Sequence, residues 1–159
     1  MMENIIKNKR VKISISLEEY IPIKVLIDRK DEPIKNISYF KDKTSLLEIA
    51  VGVESRFIKR ITLLLSKEYD INDNKLDINV YETGDLKVND ELKNSCSYFK
   101  TYLHEDGIRI VISKDKVFRY VKMDRLYIGL SNLGGIVEIC LCQLASNEIN
   151  HIKNELDYQ

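Results

Sequence analysis

Apolar and polar residues alternate with a period of two along much of the chain, and this pattern constrains the fold more than any other feature. Ile13 and Ile15 flank Ser14, and Ile108 and Ile110 flank Arg109. Such alternation places one face of a strand against a core and the other in solvent, which is typical of antiparallel sheets. We therefore predict a mainly antiparallel sheet with strands near residues 11–15, 21–27, 47–53, 57–65, 76–82, 108–113, 117–121, 126–131 and 136–144.

Two segments have helical rather than alternating periodicity. Residues 90–104 repeat apolar side chains at i, i+4, i+7 and i+11, from Leu92 to Leu103. Near the C-terminus, Ser146 precedes a second apolar stripe, which runs from Ile149 to Leu156. Each stripe predicts a short helix that buries one face and has capping residues in front of it. The expected fold class is therefore α+β, with two helices covering part of the sheet.

A weak internal repeat relates two apolar segments, each with the pattern strand, turn, strand. Ile49 aligns with Ile128, and Ile61 aligns with Ile139 when the second turn is one residue shorter. The repeat indicates an internal duplication of a hairpin. The alternative is that two unrelated apolar hairpins align equally well.

Length and composition limit the classes of protein to consider. The chain has 159 residues, so we expect one domain over residues 1–159. Its 25 basic and 25 acidic residues give a net charge of zero, which argues against nucleic acid or an anionic membrane as the partner. We find no apolar segment typical of a signal peptide or membrane span, and we expect a soluble, cytoplasmic protein with its three cysteines reduced.

Residues suited to catalysis or ligand binding are few, and we predict no catalytic, cofactor-binding or metal-binding residues. Cys140 and Cys142 lack the spacing of metal ligands, and we interpret them as core residues on the same strand face as Ile136 and Leu144. His104 is expected at the end of the first helix, two turns from Cys96 and beyond hydrogen-bond reach of it. The chain also has no glycine-rich phosphate loop and no calcium-binding loop.

Charge is distributed unevenly along the neutral chain. Residues 1–65 carry 13 basic and 9 acidic side chains, residues 66–107 carry 5 and 10, and residues 108–159 carry 7 and 6, which gives +4, −5 and +1. The acidic middle segment predicts either a solvated face or a surface that binds a basic partner. The residues predicted to supply partner contacts are Asp70, Asp73, Asp85, Asp90, Glu91, Glu105 and Asp106.

The chain resembles bacterial toxin-immunity proteins of the contact-dependent growth inhibition and polymorphic toxin type. The resemblance rests on the hairpin sequences LEIAVGVESRFIKRITLLLS and LYIGLSNLGGIVEICLCQL in a small, Ile-, Lys- and Asn-rich chain. It implies non-catalytic binding that covers the active site of one cognate bacterial toxin, often a nuclease. No contact residue carries over from the family, because its members share no invariant motif with this chain.

Two other classes of function remain as alternatives. One is a small hydrolase or transferase that uses Cys96 or His104 together with acidic residues. The other is a structural or phage-derived assembly subunit that associates through exposed edge strands.

Overall fold

The chain folds mostly into β-strands, followed by one C-terminal helix. The computed structural model describes residues 4–88, 95–96 and 98–159. Within these ranges the strands are β1 (Asn4–Lys7), β2 (Ile13–Ile15), β3 (Ile23–Ile27), β4 (Ile34–Lys41), β5 (Ser45–Gly52), β6 (Ile58–Ser66), β7 (Asp70–Asn72), β8 (Glu82–Lys87), β9 (Ser95–Cys96), β10 (Lys100–His104), β11 (Ile108–Val111), β12 (Arg119–Met123), β13 (Leu126–Leu130) and β14 (Ile136–Leu141). Helix α1 spans Ser146–Tyr158.

The strands form two sheets. The first has eight strands in the order β1-β8-β12-β13-β14-β11-β10-β7, and the second has six in the order β2-β3-β6-β5-β4-β9. Most neighbouring strands are antiparallel, as the alternation predicts. Within the described residues, three pairs are parallel: β7 with β10, β8 with β12, and β4 with β9.

Both sheets contribute to one hydrophobic core. Val25 and Ile61 from the six-stranded sheet and Val121 and Ile128 from the eight-stranded sheet belong to the same cluster of buried side chains. Because each strand alternates, the opposite face of the eight-stranded sheet points away from this core. We call that opposite face the outer face, and a second, smaller cluster of buried residues lies on it.

Helix α1 confirms the C-terminal helix predicted from the apolar stripe. Ile152 and Leu156 are buried in the shared core, as expected for residues one turn apart on one helix face. At the N-terminus of the helix, the Glu148 carboxylate accepts a hydrogen bond from the Ala145 backbone N–H at 2.8 Å and pairs with Arg125.

The prediction of a helix over residues 90–104 is wrong for those residues of the segment that the structure describes. Residues 95–96 form β9 and residues 100–104 form β10, while 90–94 and 97 lie outside the described residues. Phe99, Thr101 and Leu103 are buried in alternation with the partly exposed Lys100 and Tyr102. This period of two suits a strand, and β10 pairs with β11 and β7.

The strand predicted over residues 76–82 is also wrong, because residues 73–81 form no strand and β8 begins only at Glu82. The other eight predicted strands overlap observed strands. The strands that the alternation did not predict are β1, β4, β7, β8, β9 and β10.

The two segments of the internal repeat form hairpins with corresponding registers. Ile49 pairs with Ile61 in the six-stranded sheet, and Ile128 pairs with Ile139 in the eight-stranded sheet. Equivalent registers are also reached by unrelated hairpins, so the duplication stays a prediction.

One prediction about the second hairpin is wrong. A β-bulge lies between the Gly129–Glu138 and Leu130–Ile136 pairs. The extra residue reverses the alternation, so Cys140 and Cys142 lie on the outer face, whereas Ile136 belongs to the main core. Leu144 also belongs to the main core, because β14 ends at Leu141 and the chain turns at Gln143, whose φ is 56°.

Candidate functional site

Four of the seven carboxylates predicted to contact a partner lie at one end of the eight-stranded sheet. Asp70 begins β7 and Asp73 follows it, while Glu105 and Asp106 form the turn between β10 and β11. The parallel pairing of β7 with β10 brings these two regions side by side. Asp70, Asp73 and Glu105 are exposed and Asp106 is half-buried. We call these four residues the acidic end.

Hydrogen bonds fasten the chain after β7 to the turn between β10 and β11. The Glu105 backbone N–H donates to the Asn74 carbonyl at 3.3 Å, and the Leu76 N–H donates to the Asp106 carboxylate at 2.9 Å. His104 is buried, with Nδ1 3.1 Å from the Asn74 carbonyl. Asp106 and His104 therefore hold the backbone at this end, while the three exposed carboxylates face solvent.

Residues 73–81 cross the outer face of the eight-stranded sheet, and we call them the crossing segment. Leu76 is buried in the outer-face cluster against Tyr127, Cys140 and Cys142. Asp77 is exposed and extends the negative charge of the acidic end along this segment. Together with the acidic end it makes five carboxylates, and Lys75 is the basic residue of the crossing segment.

An apolar groove opens where the crossing segment reaches β8. Its volume is about 430 Å³, and its exposed apolar side chains include Val80 at 84% and Phe118 at 66% of their full accessibility. Arg119 pairs with Glu82 at 3.0 Å on its wall. The residues lining the groove are Val80, Tyr81, Glu82, Val117, Phe118, Arg119 and Tyr120.

The aromatic side of the groove is anchored to the sheet. The Tyr81 ring packs edge-on against Tyr127, with 5.5 Å between ring centroids, and Lys122 Nζ lies 5.1 Å from the Tyr81 centroid. Tyr81 is thus held in place while it remains 42% exposed. The groove and the acidic end lie at the two ends of the crossing segment, and β13, β14 and β11 separate them in the eight-stranded sheet.

Asp85 lies apart from the acidic end and is fully buried in β8. Its carboxylate accepts two hydrogen bonds from Arg29 and lies 3.0 Å from Lys9 Nζ. Burial raises the pKa of Asp85, but the hydrogen bonds from Arg29 and Lys9 outweigh it and hold this pKa below its ordinary value. A partner could reach this carboxylate only by displacing Arg29 or Lys9. Asp90 and Glu91 lie outside the described residues.

The thiols on the outer face are buried and poorly suited to nucleophilic chemistry. Cys140 Sγ donates to the Glu138 carboxylate at 3.0 Å, and Arg109 Nε lies 3.1 Å from the same oxygen. Burial raises the pKa of the Cys140 thiol well above its ordinary value, and the nearby Glu138 charge raises it further. Burial, with Asp106 and Asp77 nearby, raises the pKa of Cys142 to about 12. A thiol that stays protonated is a weak nucleophile.

The alternation of apolar and polar residues did not predict the groove. It assigned Val80 to the buried side of a strand with Leu76 and Ile78, whereas the backbone leaves regular structure there and exposes Val80. The signal that could have revealed the groove is the pair of short apolar dipeptides, Val80-Tyr81 and Val117-Phe118, each placed just before a strand.

In ranges 4–88, 95–96 and 98–159, no group of three or more His, Cys, Asp or Glu side chains is arranged to hold a metal ion. Within the same ranges, no helix is both long enough and apolar enough to span a bilayer.

Compared with known proteins, the sequence matches no protein-family model and no curated protein.

Proposed function

We propose that this chain is a non-catalytic binding protein that neutralises a cognate bacterial toxin in the cytoplasm by covering its active site. The surface that binds the toxin in this proposal is the acidic end together with the apolar groove. The observation that carries the proposal is the exposure of apolar anchors at one end of the crossing segment and of carboxylates without ion pairs at its other end.

The groove supplies the features of an interface centre. Protein interfaces derive most of their binding energy from a few aromatic or large apolar side chains that become desolvated on binding. Phe118 and Val80 are largely exposed in the free chain, and Tyr81 is already fixed against Tyr127. A partner that fills the groove would bury this apolar surface without first having to order Tyr81.

The acidic end supplies the selectivity for a basic partner. Asp70, Asp73 and Glu105 are exposed, and none of them makes an ion pair within the described residues. Asp70 shares a cavity with Lys41, Lys67 and Lys100, so Asp73 and Glu105 are the carboxylates best placed to steer a basic partner and to accept its Lys or Arg side chains. A nuclease has a basic cleft that binds phosphates, which is the class of toxin that this charge fits best.

Both histidines have structural partners, which favours binding over acid–base catalysis. His104 Nδ1 lies near the Asn74 carbonyl, and His151 Nε2 lies 3.0 Å from the Ile21 carbonyl. A general base needs an accessible nitrogen within reach of a substrate proton. His104 is only 7% exposed, so the hydrolase or transferase alternative would need its surroundings to open.

The test is neutralisation of a candidate toxin encoded beside this gene. The toxin domain is expressed with the intact chain, with Phe118→Ser, or with Leu133→Ser as a matched control. Leu133 is 76% exposed in the turn between β13 and β14 and does not line the groove. Bacterial growth is the readout.

We expect the intact chain and Leu133→Ser to restore growth, and Phe118→Ser to restore it poorly while remaining folded. A toxin that stays active in the presence of the intact chain contradicts neutralisation. Full protection by Phe118→Ser contradicts the role of the groove.

A further inference from the structure

A second cavity lies on another part of the surface, next to the buried Asp85, and its wall is rich in cations. Phe57 is the centre of this wall. Lys9 Nζ lies 4.1 Å from the centroid of the Phe57 ring, the Arg29 guanidinium carbon 5.0 Å, and Lys87 Nζ 5.6 Å. We call Lys9, Arg29 and Lys87 the cation cluster.

The cation cluster has more positive charge than its one buried carboxylate neutralises. Asp85 and Lys87 are two residues apart on β8 and so share one face of the strand, and Phe57 is bridged to Lys87. Asp85 binds Arg29 and Lys9, while no carboxylate of the described residues lies within ion-pair distance of Lys87. Asp85 neutralises one of the three charges of the cluster, and Lys9 and Arg29, but not Lys87, line the cavity.

Arg29 is fixed in place before any ligand arrives. Its Nε donates to the Ile58 carbonyl at 2.7 Å, and its two terminal nitrogens bind Asp85. Lys9 gives one contact to Asp85 and keeps 43% of its side chain exposed, so donors of its ammonium group remain free. A prearranged cationic site of this kind loses little conformational freedom when an anion binds.

The cavity in front of the cluster has a volume of about 530 Å³. Glu32, on its opposite wall, is already engaged: it accepts hydrogen bonds from the Glu54 and Ser55 backbone N–H groups and lies 3.6 Å from Lys59 Nζ. The cavity is lined by Lys9, Arg29, Lys30, Asp31, Glu32, Glu54, Ser55 and Phe57.

We propose that this cavity binds a small oxyanion, a phosphate or a carboxylate group, against Lys9, Lys30 and the Phe57 ring. Lys9, Arg29 and Lys30 attract the anion, because Asp85 neutralises only one of these charges and Glu32 is paired with Lys59. The free donors of the two lysines supply charge-assisted hydrogen bonds. Asp31 and Glu54 also line the cavity, and because both are exposed, their charges are screened by water. The site is independent of the proposed toxin-binding surface.

The test is an NMR titration of the full chain with inorganic phosphate, repeated with acetate, at constant ionic strength maintained with chloride. Amide shifts near Phe57 report binding. The variants are Lys9→Gln, Lys30→Gln and, as a matched control, Lys116→Gln, which removes an exposed lysine that does not line the cavity. Lys30→Gln is included because Lys30 makes no side-chain contact with Asp85 and its loss leaves that ion pair intact.

We expect saturable shifts around Phe57 with at least one of the two anions, and comparison of the anions identifies phosphate or carboxylate as the ligand group. Affinity should fall about tenfold in Lys9→Gln and in Lys30→Gln and stay unchanged in Lys116→Gln. Several outcomes would overturn the proposal: shifts that do not saturate with either anion, shifts that chloride reproduces, or affinity that is equal in all four proteins.

Discussion

Arg29 and Asp85 join the two sheets through a paired hydrogen bond, with Nη1 to Oδ2 at 2.6 Å and Nη2 to Oδ1 at 2.8 Å. Arg29 follows β3 in the six-stranded sheet, and Asp85 lies within β8 of the eight-stranded sheet. The Asp85 side chain has no solvent exposure, so its charge depends on Arg29 and Lys9 for compensation. Loss of either partner should therefore lower the free energy of unfolding.

We predict that Asp85→Asn destabilises the protein by about 3–5 kcal/mol, because it leaves Arg29 poorly compensated in a largely buried position. Urea unfolding of the variant and the parent measures the difference. Asp28→Asn, at an exposed carboxylate with no ion pair among the described residues, should change the free energy of unfolding by less than about 0.5 kcal/mol. Equal effects of the two substitutions would show that the pair does not tie the sheets.

Glu32 should make stability depend on acid pH. Its pKa is lowered from 4.5 to about 2, chiefly by hydrogen bonds from Ser55 and further by Glu54 and Lys59. Because the folded pKa is the lower one, its stabilisation is complete above pH 4.5 and is lost as the pH falls from 4.5 towards 2. In Glu32→Gln, the free energy of unfolding should fall less steeply over this range. Glu54→Gln, which removes a neighbouring carboxylate, is the control. If the free energy of unfolding of Glu32→Gln depends on pH as steeply as that of the parent, Glu32 is not the source of this dependence.

Cys140 and Cys142 should remain reduced and resist alkylation in the folded protein. Both are buried, and burial raises the pKa of each thiol, so little thiolate is present to react. Mass spectrometry after labelling, with and without denaturant, measures this protection. Val80→Cys, placed at a position that is 84% exposed, should label rapidly and serves as the positive control. Rapid native labelling of Cys140, or a bond between the two cysteines, would be the contrary result.

The double variant His104→Gln, His151→Gln should still neutralise the toxin, because binding by shape and charge needs no proton transfer. The growth assay measures this, and circular dichroism checks that the variant is folded. If a folded double variant loses protection, the enzyme hypothesis gains over the binding hypothesis.

Local apolar patterns predicted the central hairpins but not the short strands at the edges of the sheets. Ile49 lies in β5, which is buried on both faces over its second half, and Ile128 lies in β13, which is buried throughout. Such strands are nearly continuous apolar runs, and their hairpins were predicted. The short strands at sheet edges, such as β1 and β7, have too few residues for a pattern to emerge. Their existence depends on pairing with β8 and β10, which is a property of the whole fold.

Two errors have a common physical cause. The spacing from Leu92 to Leu103 fits a helix, yet Phe99, Thr101 and Leu103 also fit a strand, and pairing with β11 decides between them. Likewise, residues 76–80 alternate like a strand but lie across a sheet face instead of beside another strand. In both segments, tertiary contacts outweigh the local preference.

The candidate site was predicted only in its charge. The count of charges identified the acidic segment, and folding brings Asp70, Asp73, Glu105 and Asp106 together. The same count could not distinguish these carboxylates from Asp85, whose charge is compensated inside the fold, because that compensation depends on Arg29, 56 residues away. The groove at the other end of the crossing segment was not predicted at all, since Val80 and Phe118 meet only after β8 and β12 have paired.

Association kinetics with the cognate toxin test the central claim most directly. The charges of the exposed residues Asp70, Asp73 and Glu105 are reversed together to Lys, and a control protein carries Lys at the exposed positions Glu19, Asp28 and Asp31. We predict that the first variant associates at least about tenfold more slowly at low salt and with less salt dependence, while the control keeps the parental on-rate. If the on-rate and its salt dependence are unchanged by the first variant, the acidic end is a solvated surface and the toxin binds elsewhere.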